Sequence, residues 1–201
     1  MKVRYLLGVI LLFASRGAHA QFTPVQAKIR ELRQITLSDN SVVQRTKEGI
    51  YYRYSDGSVL VEWLTQDGQK AWDGTLHDNK ALKYYELDYK QQRAIQRPSA
   101  PVAVKPGAYV SAKHDLGSDS VDGVRCWISP IKFRASPGSS FVDLGKACVS
   151  PEYDLRLWDD VTSNAKRTKT ELYDIKLGAE PPASLFDVEA KFSIYVPQQG
   201  P

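Results

Sequence analysis

Six turn-forming dipeptides punctuate the chain at short intervals: Asp39-Asn40, Asp56-Gly57, Asp67-Gly68, Asp73-Gly74, Asp122-Gly123 and Pro137-Gly138. Such pairs suit tight hairpin turns, and the runs between them are short and rich in Val, Ile, Tyr and Trp. A chain written this way folds into antiparallel strands. Ser58 to Thr65 shows the strand period, with Val59, Val61 and Trp63 on one face and Ser58, Leu60, Glu62 and Leu64 on the other. The first set is wholly apolar and the second mixed, which predicts a sheet buried on one face. Ile50 to Ser55 opposes this strand across Asp56-Gly57. Asn79 to Tyr89 with Arg93 to Arg97 make a second hairpin. Val124 to Phe133, Val142 to Ser150, Tyr153 to Val161 and Thr168 to Leu177 complete a run of four strands.

The opening segment satisfies two patterns. Val25, Ile29, Leu32 and Thr36 suit a helix, whereas Val25, Ala27, Ile29, Ile35 and Leu37 suit a strand. Its low alanine content and the turn that follows favour the strand. Ser99 to Ser120 is the longest aperiodic stretch and reads as a loop, of a length at which loops are often functional. The expected organisation is an export signal over 1–20, one β domain over 21–196 and a disordered tail over 197–201.

The export signal rests on Lys2 and Arg4, an apolar core from Tyr5 to Ala14, and Ala18-His19-Ala20 before a cleavage point at Gln21. The apolar core is far shorter than the roughly 20 residues of a membrane span. A periplasmic or secreted protein follows, with no transmembrane segment in the mature chain. Three of the 27 basic residues (Lys2, Arg4, Arg16) and none of the 23 acidic ones lie in the signal, so the mature chain carries a net charge of +1 rather than +4. Charges of alternating sign with so small an excess argue against a nucleic-acid partner.

Cys126 and Cys148 are the only cysteines. An even count in an oxidising compartment favours a disulfide, and the strand parity lets both point to one side of neighbouring strands. They do not form a C-x-x-C redox pair. A zinc site would need more ligands than His77 and His114 supply, so no metal and no cofactor is expected.

The sharpest pattern lies in the last third. Leu116-Gly117 through Asp122-Gly123-Val124 is followed by Val149-Ser150-Pro151-Glu152-Tyr153-Asp154-Leu155. Glu171-Leu172-Tyr173-Asp174-Ile175-Lys176-Leu177-Gly178 then leads into Glu180-Pro181-Pro182-Ala183-Ser184-Leu185-Phe186. With Tyr52-Arg53-Tyr54-Ser55-Asp56-Gly57, these segments resemble uncharacterised exported bacterial proteins related to the outer-membrane lipoprotein carrier and its receptor. The resemblance spans most of Thr23 to Ile194, and its motifs are turns and strand ends. It implies a mainly β fold with little helix: a strongly curved antiparallel sheet, a half-open barrel whose concave face can hold acyl chains. The helical lid of the carriers has no counterpart here, and none of their ligand-handling residues maps onto this chain.

Val59, Val61, Trp63 and Tyr84 are the candidate lining of a ligand-binding concave face, for a lipid or an acylated protein. Trp127 and Trp158 fall on the parity opposite Cys126 and Leu155/Leu157, so one set packs and the other meets solvent or ligand. Catalysis has no sequence support. Ser118, Ser120 and Ser150 lack a nucleophile elbow. His77 and His114 fall in polar turns, and Asp73 and the Asp159-Asp160 pair suit a solvated surface. The functional expectation is a non-catalytic envelope protein that binds or carries a lipid-like ligand. The alternative is a protein-interaction or sensor module built on the same sheet. The segment after Glu180-Pro181-Pro182 is expected to tuck Leu185, Phe186, Val188 and Phe192 against the sheet.

Overall fold

Alternating side chains and tight turns generate strands along nearly the whole described chain. The computed structural model describes residues 22–97, 108–110, 116–133, 140–163 and 165–197. The export signal with its cleavage point, His114, Pro137-Gly138 and residues 198–201 lie outside them. Among the described residues, thirteen strands form one curved, unclosed sheet. They are β1 (Val25–Thr36), β2 (Val42–Arg53), β3 (Val59–Leu64), β4 (Ala71–Asp78), β5 (Lys83–Asp88), β6 (Arg93–Arg97), β7 (Ala108–Val110), β8 (Ser118–Val121), β9 (Val124–Phe133), β10 (Val142–Ser150), β11 (Leu155–Ser163), β12 (Lys166–Leu177) and β13 (Ser193–Tyr195). A single 3-10 turn, Ala183–Leu185, is the one helical element among the described residues.

The spatial order is β13-β6-β5-β4-β3-β2-β1-β12-β11-β10-β9-β7, with β8 also paired to β9. Two meanders, β1 to β6 and β9 to β12, thus meet along a central seam between β1 and β12. Every pairing is antiparallel except that of β13 with β6, which is parallel. The opening segment is a strand. β4 and β13 have no counterpart in the sequence reading, and β7 and β8 replace parts of the stretch read as a loop. Asp73-Gly74 lies inside β4 rather than in a turn, because the neighbouring backbone approaches closely. A Cβ on Gly74 would stand 2.6 Å from the carbonyl oxygen of Val61.

Bulges supply a cause for the bending, since an extra residue in one strand curls it and raises its twist. Register shifts occur at Gln26/Lys28 against β12, at Trp63/Leu64 against β4, at Cys148/Val149 against β11 and at Asp143/Gly145 against β9. At the seam the extra residue falls beside Asp174, whose φ is 54°. The Ile175 amide there donates to Asp122 Oδ2 at 3.0 Å. Asp122 and Gly123, both at positive φ, form the two-residue turn between β8 and β9. This Asp-Gly pair therefore closes a hairpin and also satisfies the bulge across the sheet.

The sheet buries both faces, not one. On one face, called here the disulfide face, Val25, Ala27, Ile29, Leu155, Leu157 and Leu172 pack with Val124 and the bonded Cys126–Cys148 pair. On the other, the tail face, Tyr52, Leu60, Leu76, Tyr85, Leu87 and Ala94 are covered by Val188 and Phe192. Leu60 is fully buried while Val59, Val61 and Trp63 are half-buried, the reverse of the burial the strand pattern predicts. The pattern reads hydrophobicity alone, and Leu60 is buried by a tail that the strand itself does not announce.

Candidate functional site

The register assembles the disulfide face row by row. Arg53, Val59, His77 and Tyr84 form one row across β2 to β5, and Tyr51, Val61 and Thr75 the next. Gly49, Trp63 and Asp73 form the third. All four sequence-selected residues, Val59, Val61, Trp63 and Tyr84, therefore share this face. Val61 and Trp63 lie against the disulfide-side core together with Tyr51, which the sequence reading did not select.

Gly49 decides where the Trp63 ring sits. A Cβ there would come within 2.4 Å of the Glu62 carbonyl oxygen, 3.0 Å of Trp63 Cε3 and 3.1 Å of Ile29 Cγ2. With only hydrogen at that point, the indole packs over β2 toward Ile29. Lys47, one row further, holds its ammonium 5.6 Å from the Trp63 ring centre and 4.9 Å from that of Trp72. The same ammonium pairs with Asp73 Oδ2 at 3.4 Å. Cation–π attraction of this kind is worth about 0.5–1 kcal/mol at exposed sites and more where water is excluded. It fixes Trp63 at the edge of the apolar strip. A lysine two positions before a strand glycine is too common a pattern to reveal such a clamp from sequence.

At the opposite end of the strip Arg53 is buried and donates only to backbone carbonyls. Nε and Nη2 bond Thr23 O at 3.1 and 2.9 Å, Nη1 bonds Asp154 O at 2.8 Å and Nη2 bonds Tyr153 O at 2.7 Å. The guanidinium also stands 5.6 Å from the Phe22 ring centre. One side chain of β2 thus ties the entry to β1 to the turn before β11. The neighbouring Tyr51 phenol is pushed up to about 12 by burial. Burial also raises the Tyr84 phenol.

Three titratable groups depart from their expected solvated setting. His77 lies within β4, not in a polar turn, and burial lowers its imidazole pKa; its Nδ1 is buried without a hydrogen-bond partner. Asp159 is raised by burial, against the opposing pull of Arg156, whose Nη1 is 3.3 Å from Oδ2. Asp73 Oδ1 is buried without a hydrogen-bond partner, while Oδ2 holds Lys47. The adjacent Asp160 is lowered by its two bonds from Arg167, at 2.8 and 2.6 Å. Asp159 and Asp160 alternate across the strand, so one enters the sheet interior and the other meets the exposed Arg167. On the same logic Leu155, Leu157 and Cys126 pack inward. Trp158 instead donates Nε1 to Asp119 Oδ2 at 3.1 Å.

Two grooves among the described residues lie away from the sequence-selected residues. An open groove of about 800 Å³ runs along Lys132, Asp143, Lys146, Asp160 and Arg167. A smaller one of about 300 Å³ lies by Lys28, Glu48, Ile50, Leu64 and Tyr173. Neither is lined by Val59, Val61, Trp63 or Tyr84. Among the described residues no group of three or more His, Cys, Asp or Glu could hold a metal ion.

No protein-family model matches the sequence, and no curated protein matches it. Solved structures do. The chain is similar to an uncharacterised conserved protein from Thermus thermophilus, with a TM-score of 0.50 and 12% identity over 87% of this chain and 91% of that one. It is also similar to MucB in the Pseudomonas aeruginosa MucA/MucB complex, with a TM-score of 0.46 and 12% identity. That match covers 88% of this chain but 59% of the other, so the chain spans about three-fifths of its length. A LolA superfamily protein from Nitrosomonas europaea aligns with a TM-score of 0.39 and 9% identity over 83% and 90% of the two chains. At such identities the Thermus likeness speaks to the fold alone, and the two weaker ones add no argument of their own. The structural neighbours of this sheet do include the carrier superfamily that its motifs resemble.

Proposed function

We propose that this is a non-catalytic protein of the cell envelope that binds a lipid-like ligand on the disulfide face of its curved sheet. The observation that carries the reading is the stacking of Tyr51, Val61 and Trp63, all half-buried, over the fully apolar floor of Val25, Ala27, Ile29, Leu157 and Leu172. Sites for such ligands are mostly apolar with few polar groups, as this strip is. Val59 and Tyr84 extend the strip toward the β5 side. Export after cleavage before Gln21 would place the domain, residues 21–196, in the periplasm or outside the cell. The Cys126–Cys148 bond supports an oxidising compartment. The non-catalytic reading is supported by the ion pairs of the acids on this face, Asp73 Oδ2 with Lys47 and Asp159 with Arg156.

A brominated fatty acid tests it. Quenching of Trp63 fluorescence that is lost in Trp63→Phe, with weaker binding in Val61→Asp at unchanged fold, is the expected result. Saturating probe that changes neither fluorescence nor melting temperature overturns it. A second reading, an interaction or sensor module, draws on the open groove at Lys132, Asp143, Lys146, Asp160 and Arg167, whose mixed charges suit a polypeptide better than an acyl chain. Charge reversal at Lys146 would then abolish partner capture and leave fatty-acid binding untouched.

A further inference from the structure

The β1–β2 hairpin turns between Thr36 and Val42. Its turn is ordered by its own hydrogen bonds: Leu37 N to Ser41 O at 2.8 Å and Asn40 N to Leu37 O at 3.0 Å. Asp39 Oδ1 accepts from Ser41 N at 2.9 Å and Oγ at 2.6 Å. Thr36 N donates to Ala165 O at 2.8 Å, so the end of the β11–β12 hairpin lies beside this turn. At this joint end Leu37, Val42 and Val43 remain 45%, 59% and 37% exposed. Single exposed apolar residues are ordinary, but three at one hairpin end are a feature to explain.

Behind them lies a collar of cations. The last rows of the seam pair Ile35 with Val43 and Lys166, Gln34 with Gln44 and Arg167, Arg33 with Arg45 and Thr168, and Leu32 with Thr46 and Lys169. In these rows β1, β2 and β12 hold five cations and no carboxylate, and β11 sets Asp160 opposite Lys169; with Asp39 in the turn the end carries +3, against +1 for the whole mature chain. Arg33, Arg167 and Lys169 reach acids at or beyond the rim, Glu31, Asp160 and Glu171, at 2.9, 2.6 and 2.7 Å. Arg45 and Lys166 have no ion-pair partner among the described residues, and Arg33 Nε is buried without a hydrogen-bond partner. Arg33 and Arg45 stand directly opposite each other, an arrangement that destabilises an antiparallel pair. Folding gains nothing from it, whereas an external anion would.

The spacing selects the anion's setting. Val42 and Arg45 are three residues apart, about 10 Å along a strand. Apolar groups that dock on a bilayer sink about 5–10 Å into the boundary of headgroups and acyl chains, so the guanidinium would then stand among the phosphates. Arg33, Arg45 and Lys166 project from one face of the sheet and Arg167 and Lys169 from the other, which surrounds the tip on both sides.

We infer that this hairpin end docks on an anionic lipid bilayer, with Leu37, Val42 and Val43 entering its surface and Arg45 and Lys166 meeting lipid phosphates. The inference stands apart from ligand binding on the disulfide face. The test is co-sedimentation of the mature chain with phosphatidylcholine vesicles, with and without phosphatidylglycerol. The expected result is partition into the anionic vesicles only, weakened by salt. A Leu37→Asp/Val42→Asp variant and, separately, an Arg45→Glu/Lys166→Glu variant should each lose it by about tenfold or more, with the melting temperature of wild type. Equal partition into both vesicles overturns the inference, as does wild-type binding by either variant. A lipid-free dimer that the aspartate variant dissolves, without vesicle binding by wild type, would assign the tip to a second copy and overturn it too. Vesicle binding that survives loss of fatty-acid binding in Val61→Asp separates this site from the disulfide face.

Discussion

The two cores of this sheet are closed in different ways. The core on the disulfide face is held by elements of the sheet itself: β1, β9, β10, β11 and β12 supply its side chains, bulges bring them together and a disulfide crosses between β9 and β10. The core on the tail face belongs to β2 through β6 and depends on a separate segment, in which Val188 and Phe192 cover Leu60 and Leu76 and Phe192 stands 5.1 Å from the Tyr89 ring. A curved sheet thus stabilises one meander by curling and the other by recruiting the end of the chain. The first arrangement is visible as strand periodicity. The second needs knowledge of where a non-strand segment lands.

The largest effect should come from Arg53, which links the two meanders. Arg53→Met leaves the carbonyls of Thr23, Tyr153 and Asp154 without their buried donor. At about 1–3 kcal/mol for each unsatisfied group, a loss of at least about 3 kcal/mol is expected in denaturant titration. A loss below about 1 kcal/mol would show that the seam holds without it.

Next come the two cores taken singly. Phe192→Ala should cost about 3–5 kcal/mol and Leu157→Ala about 2–5 kcal/mol. Hydrogen exchange is the sharper readout. The Phe192 variant should open β5, β6 and β13 while leaving β11 and β12 protected, and Leu157→Ala should do the converse. Uniform loss of protection in both would dissolve the distinction between the cores. Phe186 is half-buried and 5.3 Å from the Tyr54 ring, so its truncation should cost less than that of Phe192.

Removing the disulfide by Cys126→Ala/Cys148→Ala should cost about 3 kcal/mol for a loop of this size, with circular dichroism unchanged. The two Cα atoms are 5.4 Å apart on hydrogen-bonded neighbours, so the strands keep their register without the bond. Loss of sheet signal in this variant would make the disulfide a condition of folding.

The smallest effect concerns pH. Burial lowers the His77 pKa below its ordinary 6.5. The unfolded chain then takes up a proton in a range where the folded protein does not, so stability is full above pH 6.5 and falls as pH drops below it. His77→Gln should flatten the slope of stability between about pH 5 and 7. An unchanged slope would mean that other groups set it.

Strand periodicity and turn chemistry made most of the fold legible. β9 and β10 match their expected bounds residue for residue, because each is a β-rich run of ordinary length between turn or loop residues. β4 escaped because Asp73-Gly74 has the composition of a turn while its backbone serves a strand. His77 escaped with it. Of the site, the shared face of Val59, Val61 and Trp63 follows from parity alone, whereas Tyr84 joins it through the register of β3, β4 and β5. The Lys47 clamp and the Arg53 tie depend on neighbours that come together only when β2 meets β4 and the turn before β11.

The seam between β1 and β12 has a consequence for the order of assembly. Its partners, such as Ile29 and Leu172, are separated by most of the chain. Closing so long a loop precedes any reward from the contacts it makes, and sheets built this way fold slowly. The β1–β2 hairpin can form early, yet β1 keeps one unpaired edge until β12 has been synthesised and brought back. For that interval the sheet presents a twelve-residue open edge to any other chain at hand. Pairing of β12 with β1 is then the step that removes this edge from competition.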